Sequence, residues 1–219
     1  MQPTEHPGIY KKNDKLFTRN PDVCKGVKVY NEQLISEDEN EYRSWNPFRS
    51  KLAAALLKGL KVDIPVDAQI LYLGAATGTT VSHLSDIITD GTLYAVESSP
   101  VAVMSLLKVS EKRPNIIPIL ADANHPERYQ SIVPPVDIIY QDISQRNQAD
   151  IFTRNSEAYG KTNGTGIMMV KARSIDVSLK PRQAYELVCD YLKKRRFTIT
   201  KTIELAPFEK DHAAILLHF

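Results

Sequence analysis

The chain has 219 residues, carries 28 Lys and Arg against 26 Asp and Glu for a formal charge of +2, and is 42% hydrophobic. That length supports one sizeable α/β domain with a small appendage, and the composition excludes disordered and fibrous chains. A near-neutral charge gives no bulk attraction to nucleic acid, so a nucleic-acid partner has to be recognised through local features.

The opening residues, Met1-Gln2-Pro3-Thr4-Glu5-His6, lack the apolar centre of a signal peptide, and no later stretch is long and uncharged enough to span a bilayer. We therefore expect no membrane partner. Cys24 and Cys189 belong to no C-x-x-C or Cys/His cluster, and the five histidines have no metal-ligand spacing. This argues against a metal site or a disulfide framework and fits a soluble protein of the reducing cytoplasm.

Residues 8–10 and 15–18 read as short strands about an Asn13-Asp14 turn, with a further extended stretch over 27–34. The acidic run at 36–41 reads as a solvated loop, and Asn46-Pro47 as a turn. We place a small β-rich N-terminal unit at residues 1–48 and the main domain at 49–219. In the main domain, Leu52, Leu56, Leu57 and Leu60 recur at helical spacing, with Gly59 near the end. Residues 68–73 form an apolar strand that runs into Gly74-Ala75-Ala76-Thr77-Gly78 and then a helix through Ile88.

Further strands are expected at 92–96, 116–121, 136–140, 166–170, 198–204 and 213–219, and helices at 101–111, 147–159 and 181–194. The basic run Lys193-Lys194-Arg195-Arg196 reads as a solvated helix end. Such alternation predicts a mostly parallel sheet covered by helices on both faces. No helix separates the last two strands, so they should pair antiparallel. A parallel sheet ending in such a hairpin resembles the Rossmann-like, seven-stranded class I S-adenosylmethionine-dependent methyltransferase fold.

Gly74 and Gly78 would let backbone amides approach a ligand at the start of the next helix. The dinucleotide pattern G-x-G-x-x-G is unmatched, because Ala76 and Thr79 stand at its second and third glycines. Glu97, ending the second strand, is a candidate to hold a ribose diol. Asp122, ending the third, can accept from an adenine amine while Ala123 leaves room for the ring. Each acid alone reads equally as a surface residue or helix cap. An NAD site shares the first two features, whereas the third acid and the terminal hairpin favour S-adenosylmethionine.

The segment Tyr72-Leu73-Gly74-Ala75-Ala76-Thr77-Gly78-Thr79-Thr80-Val81-Ser82-His83 resembles the cofactor loop of fibrillarins, and its Thr-Thr pair is the distinctive part. Similarity extends to Asn46-Pro47-Phe48-Arg49-Ser50-Lys51-Leu52-Ala53-Ala54, to Tyr94-Ala95-Val96-Glu97, and to residues 118–126, 137–145 and 166–171. It covers nearly the whole chain. With 9 glycines in all, the chain has no room for the Gly/Arg-rich tail of eukaryotic members and resembles the archaeal form.

The resemblance implies an S-adenosylmethionine-dependent RNA ribose 2′-O-methyltransferase acting on rRNA and tRNA. It implies cofactor contacts at Thr79, Thr80, Glu97, Ser98, Asp122, Ala123, Asp142, Ile143, Ser144 and Gln145, beside Gly74 and Gly78. Ser98 stands where the family often has Phe or Tyr, and Ser144 where Ala is common. The implied catalytic set is Lys51, Asp142, Lys171 and His212, with Lys171 as base or proton relay, Asp142 orienting it, and Lys51 and His212 holding ribose and phosphate.

Taken singly, Lys51 reads as one more cation on an amphipathic helix, Asp142 as a cap and His212 as a loop residue. Lys171 follows the apolar Met168-Met169-Val170, where an unpaired lysine is costly. A lysine, with a reference pKa of about 10.4, needs burial or a neighbouring cation to serve as a base near neutrality. The implied partners are a box C/D guide RNA with its target RNA, a Nop-domain scaffold protein and a kink-turn-binding ribosomal-type protein. The alternatives are a class I methyltransferase with another substrate and a non-catalytic assembly module of the same fold.

Overall fold

The computed structural model describes residues 1–219 and contains two sheets. The first is antiparallel, built from β1 (Gln2–Pro3), β2 (Ile9–Lys12), β3 (Lys15–Asn20), β4 (Leu34–Glu37) and β5 (Asn40–Trp45) in the order β1-β2-β3-β5-β4. Asn13 and Asp14 both take positive φ, 50° and 60°, the geometry of a tight hairpin turn that small polar residues tolerate.

Two expectations need correction here. The acidic run is not a loop: it forms the β4–β5 hairpin, turning at Asp38 with φ 55°. Its carboxylates have partners that a solvated loop would not supply. Glu37 takes the Lys12 ammonium at 2.6 Å, and Glu41 accepts from Asn20 Nδ2 at 2.7 Å and from the Gly26 N–H at 2.9 Å. Residues 27–33 are not a strand. They fold into turns because the Glu32 carboxylate accepts the N–H groups of Val29 and Tyr30, at 3.0 and 2.8 Å.

The second sheet follows α1 (Lys51–Leu57) and contains β6 (Gln69–Leu73), β7 (Thr92–Glu97), β8 (Ile116–Leu120), β9 (Val136–Gln141), β10 (Gly160–Lys171), β11 (Thr198–Glu204) and β12 (His212–His218). The intervening helices are α2 (Thr79–Ile87), α3 (Pro100–Ser110), α4 (Gln148–Tyr159), the short α5 (Ala172–Ile175) and α6 (Pro181–Lys194). Strand order is β11-β12-β10-β9-β6-β7-β8, parallel except where β12 pairs antiparallel with both β10 and β11. The expected class I methyltransferase topology is thus present. Strand β10 starts six residues earlier than the expected 166, and its pairing with β9 is irregular between Gly160 and Thr165. Helix α1 stops at Leu57 because Gly59 (φ 87°) reverses the chain, with Leu60 N–H bonded to Ala55 O and Gly59 N–H to Leu56 O.

Alternate residues of the central strands feed two cores. Ile70, Tyr72, Ile138 and Tyr140 join Leu52, Leu56, Val81 and Leu84 of α1 and α2 on one face. Leu71, Leu73 and Ile139 join Ile151, Phe152, Val188 and Leu192 of α4 and α6 on the other. Each such side chain contributes about 1.5–3 kcal/mol on burial.

The first sheet shares the former core through Ile9, Leu16 and Trp45. It is also tied to α2 by buried charges. Arg43 donates to Glu32 at 2.8 Å, Asp86 at 2.7 Å and Ser82 Oγ at 2.9 Å, and Arg113 pairs with the other Asp86 oxygen. Burial pushes the Glu32 carboxyl upward, but Arg43 and the Tyr30 and Val29 amides together hold it below the usual carboxylate range. His83 stacks on Trp45 at 4.9 Å and lies within 2.7 Å of Thr18 Oγ1 and Tyr30 Oη.

Burial, followed by the charges of Arg43 and Arg113, holds His83 well below the ordinary histidine range, so it stays neutral in the folded chain. Below about pH 6.5 the unfolded chain binds a proton at this residue that the folded chain refuses, so this contribution to stability is present above that pH and lost as pH falls. Urea unfolding between pH 7 and pH 5 should show His83→Gln with a shallower loss than wild type, by on the order of 1.4 kcal/mol per pH unit below pH 6.5. Identical slopes would assign the pH dependence elsewhere.

Candidate active site

Five strands running in parallel, β6 to β10, end at one edge, and the winding changes direction between β6 and β9, so a crevice opens outside their carboxyl ends. The turn after β6 is pinned by Gly74 and Ala75 N–H donating to Val96 O at 2.9 and 3.0 Å. Gly74 has φ 84°, and a Cβ there would lie 2.5 Å from the Asp142 carbonyl oxygen. Gly78, at φ 92°, opens α2 with its would-be Cβ 3.1 Å from Leu106 Cδ1. Helix α2 starts at Thr79 directly after this turn, and like those of any helix its first amides are donors without intrahelical partners.

Glu97 ends β7 and accepts one N–H on each oxygen, from Ala76 (φ 48°) and from Ser99, both at 2.8 Å. Oε2 keeps a second lone pair, and Oε1 takes only a long further bond, from Ser98 Oγ at 3.5 Å, which a ligand hydroxyl can replace. Ser98 beside it is exposed. Asp122 follows β8. Its Oδ1 accepts the Asn124 N–H at 2.9 Å and Asn124 Nδ2 at 3.0 Å, and these bonds, the backbone one first, lower its pKa. Its Oδ2 is left for an outside donor. Asn124 Nδ2 also reaches Gln145 Oε1 at 2.9 Å, linking the loops after β8 and β9. Ala123 is buried beneath, Ile143 half-buried, and Ser144 exposed.

Asp142 follows β9, with its N–H bonded to Leu73 O at 2.9 Å. Both its oxygens accept from Lys51 Nζ at 2.9 Å, each side chain being 20% exposed. Lys51 is the first residue of α1 and is aimed by Ser50, whose Oγ caps the helix at Ala53 N–H and sits 2.9 Å from Thr80 Oγ1. Thr80 is therefore turned toward α1, which leaves its backbone amide as what it offers a ligand. The expected pairing of Asp142 with Lys171 is not found. Its carboxylate is satisfied by Lys51, and Lys171 has no carboxylate within 4.0 Å.

Lys171 ends β10 directly opposite His212 in the antiparallel register, which puts the two side chains on one face about 4.5–5.5 Å apart at Cβ. Buried Gln148 clamps the Lys171 backbone, its amide bonding the N–H at 3.3 Å and the carbonyl at 3.4 Å. His212 Nδ1 lies 2.7 Å from Lys210 O; a carbonyl only accepts, so Nδ1 carries the proton and Nε2 is the free acceptor of the neutral ring. Tyr72 and Tyr140 stack at 4.4 Å below the turn, and burial raises both hydroxyls so far that they stay protonated. Sequence reasoning missed Ser50, Asn124 and Gln148. A serine directly before an apolar helical repeat was the one available signal, for Ser50.

The fibrillarin family model matches residues 1–219. A fibrillarin-like rRNA/tRNA 2′-O-methyltransferase of Saccharolobus islandicus is 47% identical over 207 residues, covering 94% of this chain and 88% of the relative. Among solved structures, a fibrillarin in complex with Nop5p superposes with a TM-score of 0.90 at 42% identity, covering 98% of this chain and 99% of that one. Aeropyrum pernix fibrillarin with natively bound S-adenosyl-L-methionine gives 0.88 at 41% identity, covering 99% and 96%.

Gly74→Ala should destabilise the fold by at least about 1–3 kcal/mol from backbone strain alone, because the Asp142 carbonyl that a methyl would strike is itself fixed by the neighbouring Asp142 N–H bond to Leu73. Urea denaturation reads this directly, and wild-type stability would show that the turn yields.

Proposed function

Because this chain belongs to the fibrillarin family, we propose that it is an S-adenosylmethionine-dependent RNA ribose 2′-O-methyltransferase acting on rRNA and tRNA within a box C/D guide RNA–protein particle. The observation that carries this reading is the convergence of acceptors suited to a nucleoside, Glu97 and Asp122, with Lys51, Asp142, Lys171 and His212 at one sheet edge. The acceptor set fits the cofactor: Glu97 offers Oε2 and, once the long Ser98 Oγ bond is displaced, Oε1 to the ribose diol, and Asp122 Oδ2 is open to the adenine amine. Thr79, Ser98, Ala123, Ile143, Ser144 and Gln145 would complete its walls. When bound, S-adenosylmethionine supplies a sulfonium-bound methyl group as the electrophile.

The chain's own residues have to hold a ribose 2′-hydroxyl in line and remove its proton as the C–O bond forms. Positioning of this kind contributes up to about 7–11 kcal/mol by general precedent. Lys171, free of any carboxylate, accepts the hydroxyl proton on Nζ in its neutral form, and Gln148 fixes the strand end that carries it. Asp142, held on both oxygens by Lys51, offers its remaining lone pairs to orient that hydroxyl. His212 Nε2 accepts from the ribose.

A near-neutral enzyme gains RNA affinity by being recruited, and the Nop5p-bound relative supports a Nop-domain scaffold as recruiter, with a kink-turn-binding protein and guide RNA completing the particle. No helix is long and apolar enough to cross a membrane, and the free cysteines suit a reducing cytoplasm.

Mass mapping of ribose methyls tests the reading. Particles reconstituted with scaffold, kink-turn protein and guide should methylate the guided nucleotide, whereas the chain alone leaves free RNA largely unmodified. Guide-independent methylation of equal efficiency by the chain alone would overturn it. Within those particles, Lys171→Ala should slow single-turnover transfer by roughly 10²–10⁴-fold. Lys171→Arg should not restore the rate, since a guanidinium stays protonated. Near-normal turnover with Arg would make Lys171 an electrostatic positioner.

A further inference from the structure

Asn124 follows Asp122 and Ala123 on the loop after β8, half-buried, and every polar atom of its side chain is engaged. Its amide nitrogen donates to Asp122 Oδ1 at 3.0 Å and to Gln145 Oε1 at 2.9 Å. Its amide oxygen accepts from Asn147 Nδ2 at 2.7 Å and from Arg154 Nη2 at 3.4 Å. These partners decide which way the amide faces. Turned over, it would set its oxygen against the Asp122 carboxylate and its hydrogens against the Arg154 guanidinium. Aspartate has the same shape without the donors, and alanine has neither donors nor acceptor.

The backbone of this loop has supports of its own. Arg154 Nη1 donates to Asn124 O at 2.8 Å and Asn155 Nδ2 to Ala123 O at 2.9 Å. Arg154 is in turn paired with Asp150 at 2.6 Å, whose other oxygen accepts from Tyr191 Oη of α6 at 3.0 Å. The Asn124 side chain is therefore not what keeps the loop folded; what it adds is the orientation of Asp122 and Gln145. With Oδ1 tied down, Asp122 presents Oδ2 in one place, which favours a ligand amine there and disfavours a ligand carbonyl. We propose that Asn124 is the positioning residue that sets selectivity for adenine over a 6-oxopurine in the cofactor, by holding Asp122 and Gln145 as one unit across the loops after β8 and β9. The inference rests on the functional reading above, which puts the adenine amine at Asp122, and Asn124 acts through that carboxylate.

Calorimetry on the full chain with S-adenosylhomocysteine and S-inosylhomocysteine, which differ by an amine against a carbonyl, reads this selectivity without any methyl transfer. Wild type should prefer the adenine form by about 10- to 150-fold, the range of one hydrogen bond to a charged group. Asn124→Asp keeps the shape and the acceptor for Asn147 and Arg154 but loses both donors. It and Asn124→Ala should each lower that ratio by about 5-fold or more, chiefly by weakening the adenine form, with an unchanged circular dichroism spectrum. The proposal is overturned if both ligands weaken equally, which makes Asn124 a loop support, or if the ratio does not move. Variants that fail to fold overturn it too, since the side chain would then be holding the loop. A wild-type chain that binds both ligands equally defeats the selectivity and leaves the cofactor assignment standing, whereas one that binds neither defeats the functional reading itself.

Discussion

The contact of Gly74 with the Asp142 carbonyl fixes the geometry on which the cleft depends. Strands β6 and β9 are neighbours in the sheet although two further strands lie between them in the chain, so the loops that follow them leave in opposite directions from one point. Only a residue without a Cβ lets those loops touch there. The touch sets the height of the Asp142 carboxylate relative to the turn opening α2, and so the span between the proposed nucleoside acceptors and the Lys51–Asp142 pair.

Chemistry at the edge is divided among elements held by different means. Lys51 is aimed by a capped helix start, Asp142 by the β6 backbone, and Lys171 and His212 by a strand register. Ser50 joins the first of these to the start of α2 through Thr80. The lysine that pairs with the carboxylate differs from the lysine proposed to take the proton. This separates two demands that conflict in a single residue, since a carboxylate partner favours the charged form that cannot act as a base.

Much of the fold was legible because its signals are local. The alternation of apolar runs with helical repeats gave the sheet and its layers, and the missing helix before residue 212 gave the antiparallel pairing. The loop glycines and the acids at strand ends pointed to one edge for the same reason. The β4–β5 hairpin escaped because its charges looked solvated, while their partners Lys12, Asn20 and Gly26 are distant in sequence. The Lys51–Asp142 pair escaped likewise: 91 residues separate the two, and no pattern in either segment says which lysine the carboxylate takes. Gln148, the first residue of α4, acts through its side-chain amide on the backbone at the end of β10, which leaves no trace in periodicity.

Arg43, Glu32, Asp86 and Arg113 bear on the history of the sequence. Two positive and two negative charges are enclosed between the first sheet and α2, so losing any single one leaves the set with a net charge. Removing one member of such a set leaves its partner charged and dry, at about 3–5 kcal/mol, whereas exchanging the whole set for well-packed apolar residues can be neutral or favourable. Every single-step path between those two solutions therefore passes through an intermediate weakened by a large share of a typical domain's stability. A lineage that has acquired the set is held to it, and the first sheet with it, irrespective of whether that sheet takes part in the chemistry.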